Sequence, residues 1–303
     1  MREATNTIRL EGLISEINLR TIQYTNKRTG QPTEALGGDV TLLIRQMIDD
    51  EEVTLEVPVS MFSPKFTNKG KPHPAYADIE KIMNNYVSIA AGGEEQADRL
   101  RVTNAKIGMN EYHVQTGALV SYPRINGSFS QLVSKSDFLP QANFEVEFVI
   151  GKMEPELAKD DTETGRLSIT GILPQYGGKV DVVPFIVESP KVRKIIESNW
   201  QEGDTVTAVG RLNFTSKVVT RTAEVDFGVG PSTQSTIKTS ELIIVGGAKD
   251  PLSGGREFES ADIQKGLADR KARLEAQKER DMARTKSKSE APPQEPKTND
   301  LGF

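Results

Sequence analysis

The stretch "FSPKFTNKGKPH", residues 62–73, gathers Phe62, Lys65, Phe66, Lys69, Lys71 and His73 into the densest basic and aromatic cluster of the chain. Flat rings stack on nucleobases and ammonium groups meet phosphates, so the pattern suits a single strand with unstacked bases. Related residues occur in "YTNKR" (Tyr24, Lys27, Arg28), in "EYHV" (Tyr112, His113) and in "SYPR" (Tyr122, Arg124). A thinner version follows later, with Tyr176 and Lys179 in "YGGK", Arg211 and Lys217 in "GRLNFTSK", and Arg221. The lysines at 65, 69 and 71 also suit an ordinary solvated loop. Phe144, Phe148, Phe185, Phe214 and Trp200 fit a core better than a contact surface, because aromatics fill small β-barrels.

Catalytic chemistry is poorly supplied. The chain has two histidines, His73 and His113, and no cysteine. Disulfides, Cys-zinc sites and thiol nucleophiles are therefore excluded, and neither histidine has a partner at metal-ligand spacing. No phosphate-binding loop, nucleophile elbow or zinc-protease motif occurs. The expectation is a protein that is not an enzyme and needs no cofactor or metal.

The net charge is −5, which lacks the strongly basic footprint of many nucleic-acid binders. Residues 250–303 carry 11 basic and 11 acidic side chains, so the whole deficit lies before them. A polyanion must then be met by local basic loops, with acidic blocks such as "IDDEE" turned away. No apolar run approaches the roughly 20 residues of a membrane span. The opening "MREATNTIRLEG" has no secretory apolar segment and runs directly into strand-like sequence.

The elements that must position these residues are mostly strands. "TIRLEGLISEINL" alternates with a slip near Ser15, as at a bulge, and Gly12 permits bending. "DVTLLIRQMI" and "VTLEVPVSMF" make a hairpin about Asp49–Glu52. In "AYADIEKIMNNYVSIA", Tyr76, Ile79, Ile82, Met83, Tyr86 and Val87 form one helical stripe, and Gly92 and Gly93 stop it. Two further strands surround the loop "QTGA". After the bridge 135–142 the order repeats. "NFEVEFVIGKMEP" is a strand, "RLSITGILPQ" and "VDVVPFIVE" form a hairpin, and "SPKVRKIIESNW" is a helix with Ser189 as cap and Pro190 first. Two more strands follow, the last after a long connection. Residues 260–288 suit a charged helix with a thin apolar stripe of Ile263, Leu267 and Leu274, weakened at Gly266 by about 1 kcal/mol.

Five strands with a helix between the third and fourth is the OB plan, a small closed Greek-key barrel. The expected fold is mainly β: two tandem OB barrels at 1–134 and 143–249, then a charged helix and flexible tail at 250–303. Two other small β-barrels or one larger β-sandwich compete, and the central helices argue against the sandwich.

The stretches "LEGLISEINL", "FTNKGK…AYADIEKIMNNYVSIA", "MNEY…GALVSYPRINGSF" and "GDTVTAVGRLNF" resemble the tandem-OB single-stranded-DNA-binding proteins of tailed bacteriophages and related mobile elements, over about 6–247. The resemblance implies sequence-tolerant binding of single strands in DNA replication, recombination or repair, in the cytoplasm of a bacterial host. It implies neither nucleotide cofactor nor metal. Such proteins commonly end in a linker and an acidic tip finishing in phenylalanine that docks on partner proteins. Asp300, Leu301 and Phe303 match that tip, although Asn299 and Gly302 depart from its run of acids. Partner replication or recombination proteins are thus expected at the tip, with self-association open. A virion or interaction protein, or a single-stranded-RNA binder, are the alternative readings.

Overall fold

The computed structural model describes residues 1–26, 30–158, 160–222 and 232–289. Lys27, Arg28, Asp300, Leu301 and Phe303 lie outside the described residues, as does the side chain of Arg221.

Alternation of apolar residues makes the first strand, β1 (Asn6–Thr25), whose odd and even side chains point to opposite faces. Its register against β2 (Pro32–Ile48) shifts between Ile14 and Glu16, so Ser15 is a bulge as its sequence predicts. β2 turns into β3 (Glu51–Pro64) through Asp49 and Asp50, both at positive φ (51° and 66°). Two such residues match the right-handed twist of the flanking strands, and Asp tolerates this conformation better than most side chains.

Helix α1 (Pro74–Asn85) buries Ala75, Ile79 and Ile82 on one face. A short helix α2 (Ile89–Gly92) ends at Gly93 and leads into β4 (Arg99–His113), β5 (Leu119–Gly127) and the three-residue β6 (Ser130–Leu132). The strand expected across 119–134 is thus broken after Gly127. Pairing runs β1–β2–β3–β5–β4 and back to β1, with β3–β5 parallel. This is a closed circuit of five strands.

The second half repeats the order. It comprises β7 (Gln141–Leu157), β8 (Glu163–Pro174), β9 (Val180–Val187), α3 (Pro190–Asn199), β10 (Thr205–Thr222) and β11 (Ser232–Gly247). Pairing runs β7–β8–β9–β11–β10 and back to β7, again with one parallel contact, Ile243 against Ile186. The two circuits are not merely strung together. Residues 6–11 of β1 pair antiparallel with residues 141–146 of β7, giving one continuous eleven-stranded sheet. The bridge between the halves is anchored as well: Leu139 N–H donates to the buried carboxylate of Glu11 at 2.7 Å.

The two interiors differ in chemistry. Leu10, Ile14, Leu42, Ile44, Leu55, Met61, Ile79, Ile82 and Leu100 fill the first. Aromatic rings fill the second: Phe148 stacks on Phe185 at 4.7 Å, and Trp200 meets Phe148 edge-on at 6.4 Å. The Trp200 indole N–H donates to the carbonyls of Ala248 and Lys249, satisfying the one polar group this ring buries. Phe144, Phe148, Phe185, Phe214 and Trp200 are all buried, as their sequence context predicts.

Helix α4 (Ser260–Ser289) runs over β4 of the first half and over β8 and β9 of the second. Ile263 and Leu274 are buried and Leu267 packs on the core, so the thin stripe is the contact line. Gly266 has a packing reason: a Cβ there would lie 2.6 Å from Val180 Cγ1. The residue that weakens the isolated helix is the one that lets it approach the sheet.

Candidate nucleic-acid interface

Strand register decides which predicted residues meet. Gly37 faces Phe62 and Asp39 faces Ser60 across β2–β3, while Asn110 faces Tyr122 and Gly108 faces Arg124 across β4–β5. Directly paired residues share a face. The outer face of β2–β3–β5–β4 therefore carries Phe62, Tyr112, Tyr122 and Arg124 together. Phe62 is 51% exposed and its ring meets that of Tyr24 edge-to-face at 5.5 Å. Tyr112 and Tyr122 form a second edge-to-face pair at 6.4 Å. Two short contacts order the polar groups between them: Asn110 donates to the Tyr122 hydroxyl, and Arg124 donates to Ser60 Oγ.

The loop after β3 is a small hairpin, closed by a bridge between Phe66 and Pro72 and by Thr67 N–H donating to Lys71 O. Phe66, Lys69 and Lys71 are exposed on it. Lys65 is not open in the same way. Its ammonium pairs with Glu34 at 2.8 Å, and the Tyr76 hydroxyl donates to the same carboxylate oxygen at 2.7 Å. Lys65 first, then Tyr76, hold the Glu34 carboxyl below its ordinary range. A phosphate reaching Lys65 must compete with a carboxylate already in place. His73 serves the fold instead, because its Nδ1 accepts the Ala75 N–H and caps α1.

His113 lies under α4, away from the open face. Alternation along β4 turns Asn110 and Tyr112 outward, and turns Glu111 and His113 toward the helix. Arg270 donates to the Glu111 carboxylate, Gln277 donates to Glu111 O, and His113 N–H donates to Asp281. The His113 side chain is only 7% exposed.

In the second half the predicted residues do not converge. Tyr176, 84% exposed, and Lys179 stand on the turn between β8 and β9. Lys217 is exposed far along β10, opposite Ile237. Arg211 is engaged by Glu188 at 2.6 Å. Beside it Arg166 pairs with Glu156 at 2.5 Å, Glu241 at 3.0 Å and Glu188 at 3.4 Å. Glu156 above all, then Glu241, raise the Arg166 pKa further. Three carboxylates around two guanidinium groups leave this cluster one negative charge in excess, so its guanidinium groups are already occupied where phosphates would need them.

β10 packs against β3, so the second half overhangs the aromatic face of the first. A groove of about 320 Å³ opens between them, lined by Asp39, Pro58, Asn110, Tyr122, Pro123, Arg124, Phe214 and Ser240. Asp39, Asn110, Phe214 and Ser240 were not legible as site residues, since only the apposition of the halves brings them together. Among the described residues no group of three or more His, Asp or Glu could hold a metal ion, and no helix is long and apolar enough to cross a membrane.

Asp181 on β9 is half-buried near α4, and desolvation above all, with Glu111 adding to it, pushes its carboxyl up against the opposing pull of Arg273 and Arg270. A raised native value favours the protonated form, so its stabilising contribution exists in acid and is lost as pH rises through that value. Asp181→Asn is accordingly expected to raise the thermal midpoint at neutral pH. The gain should shrink as the pH falls toward the ordinary aspartate range, as thermal melts across pH would measure.

The architecture is that of a known class of fold. It is shared with the wild-type single-stranded DNA binding protein from Thermus aquaticus, at a TM-score of 0.51 and 10% identity, over 86% of this chain and 99% of that one. A deletion mutant of the Thermus aquaticus protein aligns at a TM-score of 0.47 and 9% identity, over 86% of this chain and 99% of that one. A Replication Protein A heterotrimer bound to single-stranded DNA aligns at a TM-score of 0.22 and 9% identity, over 89% and 69%. No curated protein matches the sequence. The chain belongs to the YorF family, whose model matches residues 4–280.

Proposed function

We propose that the chain binds single-stranded DNA without sequence preference over most of its contact, and catalyses nothing. The observation that carries this reading is the open face with two aromatic pairs, Tyr24–Phe62 and Tyr112–Tyr122, flanking Arg124. Ring stacking contributes about 1–3 kcal/mol per base and tolerates any base. The shared fold with a protein named for binding single-stranded DNA supports it. In this reading the two closed strand circuits are OB barrels at 1–134 and 143–249, and the first is the principal binder. Residues 250–303 form the packed helix and a tail whose Asp300, Leu301 and Phe303 recruit replication or recombination proteins. The setting is the replication, recombination or repair of phage or mobile-element DNA in a bacterial cytoplasm.

Band-shift titration with oligo-dT and with duplex DNA tests this. The expected result is retention of the single strand at far lower protein concentration, with affinity falling as salt rises because bound phosphates release counterions. Equal affinity for both forms, or no retention at low salt, would refute it.

A further inference from the structure

We infer that the groove between the two halves receives one base of the bound strand and prefers guanine. The inference rests on the strand-binding reading above and adds a base-selective position to it.

The groove is small, about 320 Å³, a volume that suits a single base rather than a run of them. Its walls are the rings of Tyr122 and Phe214 and the prolines Pro58 and Pro123. Its polar groups mix acceptors, the Asp39 carboxylate and the Asn110 carbonyl oxygen, with donors on Arg124, Tyr122 and Ser240. Asn110 directs one amide N–H to the Tyr122 hydroxyl and keeps its carbonyl oxygen as an acceptor for a ligand, beside its second N–H. Asp39 contributes a carboxylate, exposed and in no ion pair among the described residues. Its neighbour across β3 is Ser60, which already accepts from Arg124. Guanidinium and carboxylate thus stand at one site, with the guanidinium's remaining donors available to a phosphate.

A carboxylate with two open oxygens matches two parallel N–H donors. Guanine offers such a pair on its Watson–Crick edge, N1–H beside the N2 amine. Adenine and cytosine place an acceptor nitrogen beside their amine. Thymine has a single N–H between two carbonyls, which the carboxylate repels. The backbone holds Asp39 in place through its neighbour Gly38, at φ 145°, where a Cβ would fall 2.0 Å from Asn18 O. Phe214 and Ser240 come from β10 and β11, so the pocket needs both halves together.

Fluorescence anisotropy with strands of one length tests the pocket: alternating guanine–thymine, alternating hypoxanthine–thymine, and thymine only, in a lithium buffer that suppresses guanine quadruplexes. The full chain is expected to bind the guanine strand about 10-fold more tightly than the thymine strand, as one good bidentate pair would give. Hypoxanthine, which lacks the N2 amine, should fall between. Asp39→Asn should erase the preference, largely by tightening thymine binding once the repelling carboxylate is gone. Equal affinity of the wild-type chain for guanine and thymine strands, or a preference that survives Asp39→Asn, would overturn the pocket while leaving strand binding intact. Failure to bind any of the three strands at low salt would instead overturn the strand-binding reading itself.

Discussion

Replacing Phe62 and Tyr122 together by Ala is expected to weaken single-strand binding by about 100-fold or more, with little loss of folding stability. Each ring belongs to one of the two edge-to-face pairs on the outer face of the first circuit, and each is substantially exposed. Loss of one stacked base costs about 1–3 kcal/mol, and the two rings lie on different strands, so their losses should largely add. Neither ring fills the core, which is why the thermal midpoint should hardly move. Anisotropy titration beside a melting curve separates the two effects. A drop in affinity of less than tenfold, with the fold intact, would place the strand elsewhere.

The ion pairs refine what the loop at 62–73 contributes. By density alone, Lys65, Phe66 and Lys69 predict the heaviest contact in the chain. Lys65, however, is tied to Glu34, which also accepts from Tyr76, so under the proposed strand binding Phe66, Lys69 and Lys71 are the exposed loop groups left open to a strand. In the second half Arg211 is tied to Glu188, which leaves that side weaker still.

Phe148→Ala is expected to destabilise the protein by about 3–5 kcal/mol, the usual range for emptying an aromatic site in a packed core. Phe148 is fully buried, stacked on Phe185 and touched edge-on by Trp200. Its surroundings cannot collapse easily. β7 is held by β8, β10 and β1 at once, and at Gly171 a Cβ would already lie 2.8 Å from the Phe148 ring. Urea unfolding followed by tryptophan fluorescence would report the loss directly, since the chain has one tryptophan, Trp200, and it lies against this ring. A change below about 1 kcal/mol would mean that the second interior repacks freely, against the rigidity its pairings imply.

Much of the architecture was legible in the residues. Alternating apolar positions identify the cores of the long strands, and the slip at Ser15 marks the bulge. The polar stretch 20–38, however, reads as a loop, whereas β1 runs on to Thr25 and β2 begins at Pro32. The three- and four-residue spacing from Tyr76 marks the first helix, which ends at Asn85 rather than at Gly92 and Gly93. Pro190 opens the second helix as its position predicts, although Ser189 makes no side-chain capping bond. The break of the 119–134 strand at Ser128 was not legible, because both sides of it look strand-like.

What the sequence determined by itself is local: which residues are apolar in alternation, where chains turn, and which rings and cations sit close in number. These follow from backbone sterics and side-chain periodicity, which act over a few residues. The tertiary structure alone decided which of those groups is open to a ligand. Glu34 neutralises Lys65 from 31 residues away, Glu188 engages Arg211 from 23, and Asp281 reaches His113 from 168. The pairing of β1 with β7, the seat of α4 and the groove joining Asp39 to Phe214 have the same origin. Ion pairs and strand register depend on distance in space, and a charge in the sequence carries no record of which opposite charge will lie beside it.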